Sequence, residues 1–272
     1  MIVRIVLLFP LLLSLVGANC WPSLPPLTFV VAGQSNAMGS SAQPFLIPTH
    51  PNLGKVITWK YTIENIIDPV YPQTVEATPW PSFSETWAST LGRKVQILQA
   101  AVGGICLTSL GTLPNEPQWD PDGDGVTSGA RYVGMIDRAI YYSSVSDYRA
   151  VLWYQGECEV GHTTFPTGNK YDDYYNALIY LADRIHEDLG IPMIAAEISM
   201  KTNTVGCAGG TLNHQAIHDA IHDAAAASPY ILDTVVETDD ILFVAPDCTH
   251  HYDVVTLGQR FFDAIHAEGL DR

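Results

Sequence analysis

Five apolar runs, each followed by a turn or by a segment of helical period, constrain this chain more than any other feature. They are "LTFVVAG" (27–33), "KVQILQAAV" (94–102), "RAVLWYQG" (149–156), "IPMIAAEIS" (191–199) and "ILDTVVE" (231–237). Runs without polar alternation suit strands covered on both faces, as parallel sheets require. Helical patterns lie between them. Residues 131–144 place Met135, Ile136, Ala139 and Ile140 on one stripe, and 171–189 does the same with Leu178, Leu181, Ala182, Ile185 and Leu189. Gly190 and Pro192 stop the second helix, and 212–227 and 256–268 also read as helical. The alternation predicts an α/β fold: a doubly wound, mainly five-stranded parallel sheet with helices on both faces. Ligands of such sheets bind beyond the carboxyl ends of the strands, so the loops after the runs are where chemistry is expected.

The 272 residues, 47% hydrophobic, suffice for one large core, and no linker or repeat divides them. The opening "MIVRIVLLFPLLLSLVGANC" is of another kind. One basic residue, Arg4, precedes an apolar run over 5–16, and Val16 and Ala18 have the small-residue spacing of a cleavage site. This predicts a secretory signal peptide over 1–18, cut near Ala18, and a single domain over 19–272 in an extracellular protein. The run is short of the roughly 20 residues that span a bilayer. Export permits disulfides. The five cysteines, Cys20, Cys106, Cys158, Cys207 and Cys248, are odd in number, Cys20 sits at the cleavage point, and the pairing is left open. A formal net charge of −16 argues against nucleic acid and anionic membranes as partners.

Four stretches carry the expected chemistry. In "FVVAGQSNAMGSS" Ser35 follows the first run at once, where a rigid strand end could present a nucleophile; the plainer reading is a helix-capping serine. In "PDCTHHYD" Asp247 and His250 stand three apart, so a carboxylate could hold one imidazole nitrogen while the other takes a proton from serine. His251 is the rival of His250, which is preferred. "AVGGICL" after the second run offers backbone N–H groups at its glycines for a developing oxyanion. "WYQGECE" after the third offers the Gln155 amide, with Glu157 read as a brace for the loop.

Taken together, "GQSNAMG", "AVGGI", "WYQGE" and "DCTHHYD", in this order on these elements, resemble the four signature blocks of SGNH hydrolases. The similarity is to the branch of sialate O-acetylesterases and acetylxylan esterase-like carbohydrate esterases, and it extends from Leu27 to the last helix. It implies a three-layer α/β/α, flavodoxin-like domain. It implies Ser35 as nucleophile, Asp247 and His250 as its acid and base partners, and Ser35, Gly103 and Gln155 as oxyanion donors. The branch usually has threonine where this chain has Ile105, and serine where it has Cys158.

The expected function is a secreted serine esterase that removes O-acetyl groups from carbohydrate, with no metal or organic cofactor. Two alternatives stand beside it: an SGNH lipase or thioesterase for longer acyl chains, and a non-catalytic carbohydrate-binding relic. "DPDGDG" (120–125) resembles a calcium loop, but its twelfth position is Arg131 rather than glutamate, so it reads as a solvated turn. His214, His218 and His222 share one helical face; with Asp219 where a zinc-binding helix carries glutamate, the face reads as solvated and polar.

Overall fold

A computed structural model of the chain describes residues 25–39, 54–57, 63–65, 77–108, 119–123, 125, 128–161, 165–199, 211–241 and 253–272. Its strands are β1 (Leu27–Gly33), β2 (Lys55–Ile57), β3 (Ile63–Asn65), β4 (Val95–Gln99), β5 (Asp147–Tyr154) and β6 (Met193–Ala196). Its α-helices are α1 (Ser35–Met38), α2 (Trp80–Leu91), α3 (Ala130–Tyr141), α4 (Glu157–Gly161), α5 (Lys170–Leu189), α6 (Thr211–Ala227) and α7 (Val254–Ala267). The strands form one sheet in the order β3-β2-β4-β1-β5-β6, all parallel except β3, which pairs antiparallel with β2.

Among the described residues five strands are therefore parallel, but one is not the strand expected. Segment 231–237 meets β6 only through two isolated bridges, Met193 with Ile231 and Ala196 with Val236. Three steps along β6 oppose five steps along its partner, so no regular ladder can form between the bridges. The surplus turns outward, with Asp233 exposed and Thr234 hydrogen-bonded to Glu268. β2 completes the parallel set; at three residues it is too short to show a period in sequence.

β1 lies at the centre between β4 and β5, and all seven of its residues are buried. Successive side chains of a strand point to opposite faces. Phe29 packs edge-on against Phe83 and Trp87 of α2, at ring separations of 6.0 and 5.4 Å. Trp80 and Trp87 in turn meet Phe261 and Phe262 of α7. Ala32, three residues beyond Phe29, is in register with Trp153 of β5, and so on the other face. There Trp153 lies 3.5 Å from the Tyr174 hydroxyl of α5. Helices thus cover both faces, as a doubly wound sheet requires. Truncating one of these buried aromatics to alanine would cost about 3–5 kcal/mol.

The helices are bounded by ordinary chemistry. The Asn169 side chain accepts N–H groups of Tyr171 and Asp172 at the start of α5, and Gly190 ends that helix in the left-handed conformation. Asp253 caps α7 through Thr256 N–H. In α3 the buried face runs through Tyr132, Met135, Ile136 and Ala139; Ile140, expected on the stripe, is 58% exposed. At 100° per residue Ile140 falls a quarter-turn away from that face. Arg138 turns inward, donating to the Gln99 carbonyl at 2.7 Å.

Candidate active site

The chain after β1 is fixed by main-chain contact with β5. Gly33 has φ +119°, and a Cβ there would lie 2.1 Å from the Tyr154 carbonyl oxygen. Only glycine allows both the conformation and the approach. Gln34 N–H donates to the same oxygen at 3.0 Å. Ser35 is the first residue of α1, whose turn closes through Met38 N–H to Gln34 O and Gly39 N–H to Ser35 O, both at 2.8 Å. The N-cap of α1 is Gln34, which makes no side-chain capping bond, so the serine is not a cap. Trp80 Nε1 donates to Ala37 O at 2.8 Å and braces α1 from α2. Ser35 keeps 8% of its surface exposed at the end of this turn.

The loop after β4 runs beside the end of β1. Ala100 and Ala101 N–H groups both donate to Val31 O, and Val102 N–H to Gly33 O. This brings Gly103 to Ser35: a Cβ on Gly103 would sit 3.7 Å from Ser35 Cβ and 3.4 Å from Met38 Cε. β1 and β5 are also where the sheet changes winding direction, since β4 lies on one side of β1 and β5 and β6 on the other. Ser35, Gly103 and Gln155 all follow the carboxyl ends of strands meeting at this switch point, where open α/β sheets bind ligands.

Gln155 is fully buried. Its Nε2 faces three protein acceptors: Gln34 Oε1 at 3.1 Å, Ile105 O at 3.2 Å and Glu159 Oε2. An amide nitrogen has two hydrogens, so one of the three is shared. Gln34 Oε1 also accepts Cys158 N–H at 3.1 Å. Glu159, fully buried, accepts Leu107 N–H at 2.5 Å and Thr108 N–H at 3.0 Å through its other oxygen. Burial raises the Glu159 carboxyl from 4.5 to about 7, against the opposing pull of those donors and of Gln155. A disulfide between Cys106 and Cys158 ties the same two loops covalently. Asn36 Nδ2 donates to Glu157 Oε1, so Glu157 braces the serine turn from the β5 side.

Three members of the expected set, Ser35, Gly103 and Gln155, are thus brought to one corner of the sheet. Asp247, His250 and His251 lie outside the described residues, as do Cys20, Cys207 and Cys248. Gln34 and Glu159 are the members sequence reasoning missed. A glutamine directly before the serine, and a second acid two residues past Glu157, were the available signals. In the 120–125 stretch the Asp120 carboxylate accepts Asp122 N–H at 3.0 Å, an Asx turn.

Residues 26–267 match the carbohydrate esterase family described as sialic acid-specific acetylesterases. No curated protein matches the chain in sequence. Among solved structures, a protein from Arabidopsis thaliana superposes with TM-score 0.69 at 17% identity, covering 89% of this chain and 98% of that one. NanS superposes with TM-score 0.61 at 13% identity, covering 91% and 99%. XAC1771, described as a carbohydrate acetylesterase from Xanthomonas citri, gives 0.57 at 14% identity over 88% of this chain and 55% of that longer one. At such identities the likeness is one of fold.

Proposed function

The chain belongs to the sialic acid-specific acetylesterase family of carbohydrate esterases and is a carboxylic ester hydrolase; from that premise we infer that it is a secreted serine esterase removing O-acetyl groups from carbohydrate. The observation that carries the reading is the convergence of Ser35, Gly103 and Gln155 at the carboxyl ends of three adjacent strands.

In this mechanism Ser35 Oγ attacks the acetyl carbonyl while His250, held by Asp247, takes the hydroxyl proton. The oxyanion is stabilised by the N–H groups of Ser35 and Gly103. Gln155 joins them by releasing a hydrogen from one of its three protein acceptors. The Ile105 carbonyl, neutral and most distant at 3.2 Å, is the one a full negative charge displaces. Collapse expels the sugar hydroxyl, which leaves with the proton from His250. Water, deprotonated by the same imidazole, then releases acetate and restores Ser35.

The test is acetate release from a panel of acetylated glycans, set beside a long-chain ester, by wild type and Ser35→Ala. Loss of a triad nucleophile costs on the order of 10⁶ in kcat. Near-normal turnover by a folded Ser35→Ala protein rejects the mechanism. Preference for the long-chain ester rejects the substrate class.

A further inference from the structure

Glu197 immediately follows β6, and its carboxylate is 4% exposed. Oε1 is held by two backbone donors, Thr238 N–H at 2.7 Å and Asp239 N–H at 3.2 Å. The Thr238 hydroxyl fixes the Glu197 main chain through a 3.0 Å bond to its carbonyl. Oε2 is thereby aimed at α6, where it meets His222 Nε2 at 2.8 Å and His218 Nε2 at 3.1 Å. The two histidines are one helical turn apart, so both imidazoles project from the same face, with ring centres 4.6 Å apart. The face expected to be merely solvated therefore converges, at two of its three histidines, on a buried acid. His214 is directed elsewhere, to the Ser199 carbonyl at 3.2 Å.

We propose that Glu197, His218 and His222 form a zinc site that locks α6 to the end of β6. The three donor atoms lie within 4.8 Å of one another. A tetrahedral zinc with ligand bonds of about 2.0–2.1 Å sets its donors roughly 3.3 Å apart. The two oxygen–nitrogen separations, 2.8 and 3.1 Å, need to open by only a few tenths of an ångström. Two imidazoles and one carboxylate suit zinc, whereas calcium and magnesium take all-oxygen sets. The outer shell has the form such sites use: backbone donors on the free carboxylate oxygen, and Asp219 Oδ1 at 3.4 Å from His218 Nδ1. His222, 40% exposed, leaves the fourth position to water.

The metal would act on structure and not on the ester. Ile198 and Ile217, each beside a ligand in sequence, press on Gly156: a Cβ there would lie 2.7 and 2.8 Å from their Cγ2 atoms. The cluster thus stands one packing layer behind Gln155. Its backbone donors, Thr238 and Asp239, precede in sequence the segment that carries Asp247 and His250.

The test uses untagged protein stripped with a chelator and dialysed, then titrated with ZnCl₂ by calorimetry and thermal unfolding, with CaCl₂ and MgCl₂ as controls. Wild type is expected to bind one equivalent of zinc and to gain Tm, with no response to calcium or magnesium. His222→Ala, at a half-buried position, should bind about 100-fold more weakly or worse. Glu197→Gln, which can still accept from the two backbone N–H groups, should lose binding while keeping its circular dichroism. Co²⁺ should give the intense visible bands of a tetrahedral ion in wild type and not in His222→Ala. The absence of zinc binding, or equal binding by wild type and His222→Ala, overturns the site. So does zinc binding that is lost in His250→Ala but kept in His222→Ala.

Discussion

Cys106 and Cys158 stand 5.1 Å apart at Cα, joined across a 52-residue separation, and their disulfide fastens the loop of Gly103 to the helix that follows Gln155. Glu159 makes the same connection with hydrogen bonds. The loop of Gly103 is therefore held twice, once covalently and once by a buried carboxylate. Replacing both cysteines by serine should lower stability by about 2–4 kcal/mol, mainly by freeing the unfolded chain. Thermal unfolding of wild type in dithiothreitol should show at least this shift, and the double mutant should respond less to the reductant. If reductant leaves the wild-type melt unchanged, the bond is not holding the fold.

Gln155 braces the loops through its protein acceptors, the proposed mechanism also makes it a donor, and kinetics separate the two. Gln155→Ala should lower kcat by roughly 10²–10³, the cost of one oxyanion donor. KM should change little, because the interaction gains strength only as charge develops. A rise in KM at constant kcat, or an activity loss that tracks the fall in Tm, makes Gln155 a binding or bracing residue instead.

Glu159 predicts a pH dependence of stability with a definite sign. Its folded-state value is raised from 4.5 to about 7 by burial. Between those limits the folded protein holds a proton that the unfolded chain releases, so this group's contribution falls as pH rises through the window. The span amounts to about 3 kcal/mol. Urea unfolding of wild type and Glu159→Gln at pH 4.5, 5.5, 6.5 and 7.5 should show the wild type losing ground to the variant until about pH 7, then a constant difference. Parallel curves over the whole range would mean that the carboxyl titrates at its ordinary value.

The doubled histidine is resolved by mutation. Adjacent residues of an extended chain point in opposite directions, so the proposed mechanism uses only one of His250 and His251 as its base. His250→Ala should be nearly inactive and His251→Ala should retain most of its activity. The reverse pattern transfers the base to His251 and leaves the esterase in place.

Most of the scaffold was legible because burial on two faces writes continuous apolar runs: β1, β4, β5 and β6 fall within the runs or overlap them closely, and α5, α6 and α7 begin and end within two residues of the periodic segments. α2 was hidden by composition. Pro79 and Pro81 suggest a loop, yet Trp80, Phe83 and Trp87 recur at helical spacing and form its buried face. β2 and β3 are three residues each, below any readable period. The positions of Ser35, Gly103 and Gln155 were legible because each lies in the turn or loop just past a strand, after β1, β4 and β5 in turn. Of the braces only Glu157 was read in sequence; the meaning of the others depends on remote partners, Gln34 on Gln155, Glu159 on Leu107 and Thr108. Likewise His218 and His222 are a visible pair, but no spacing rule points from them to Glu197 at the end of a different element.

The contact of Gly33 with the Tyr154 carbonyl has a consequence for how such an enzyme can diversify. It is a contact between two main chains, and no side chain sets its distance. Substitution can abolish it but has no means of adjusting it by degrees. Position 33 is closed to change, while position 154 meets the turn through its main-chain oxygen and not through its side chain. Altered substrate preference among descendants of this sequence must then come from elsewhere, from the lengths and residues of the loops that surround the serine turn. The serine turn is inherited as a fixed coordinate, and selection works on its surroundings.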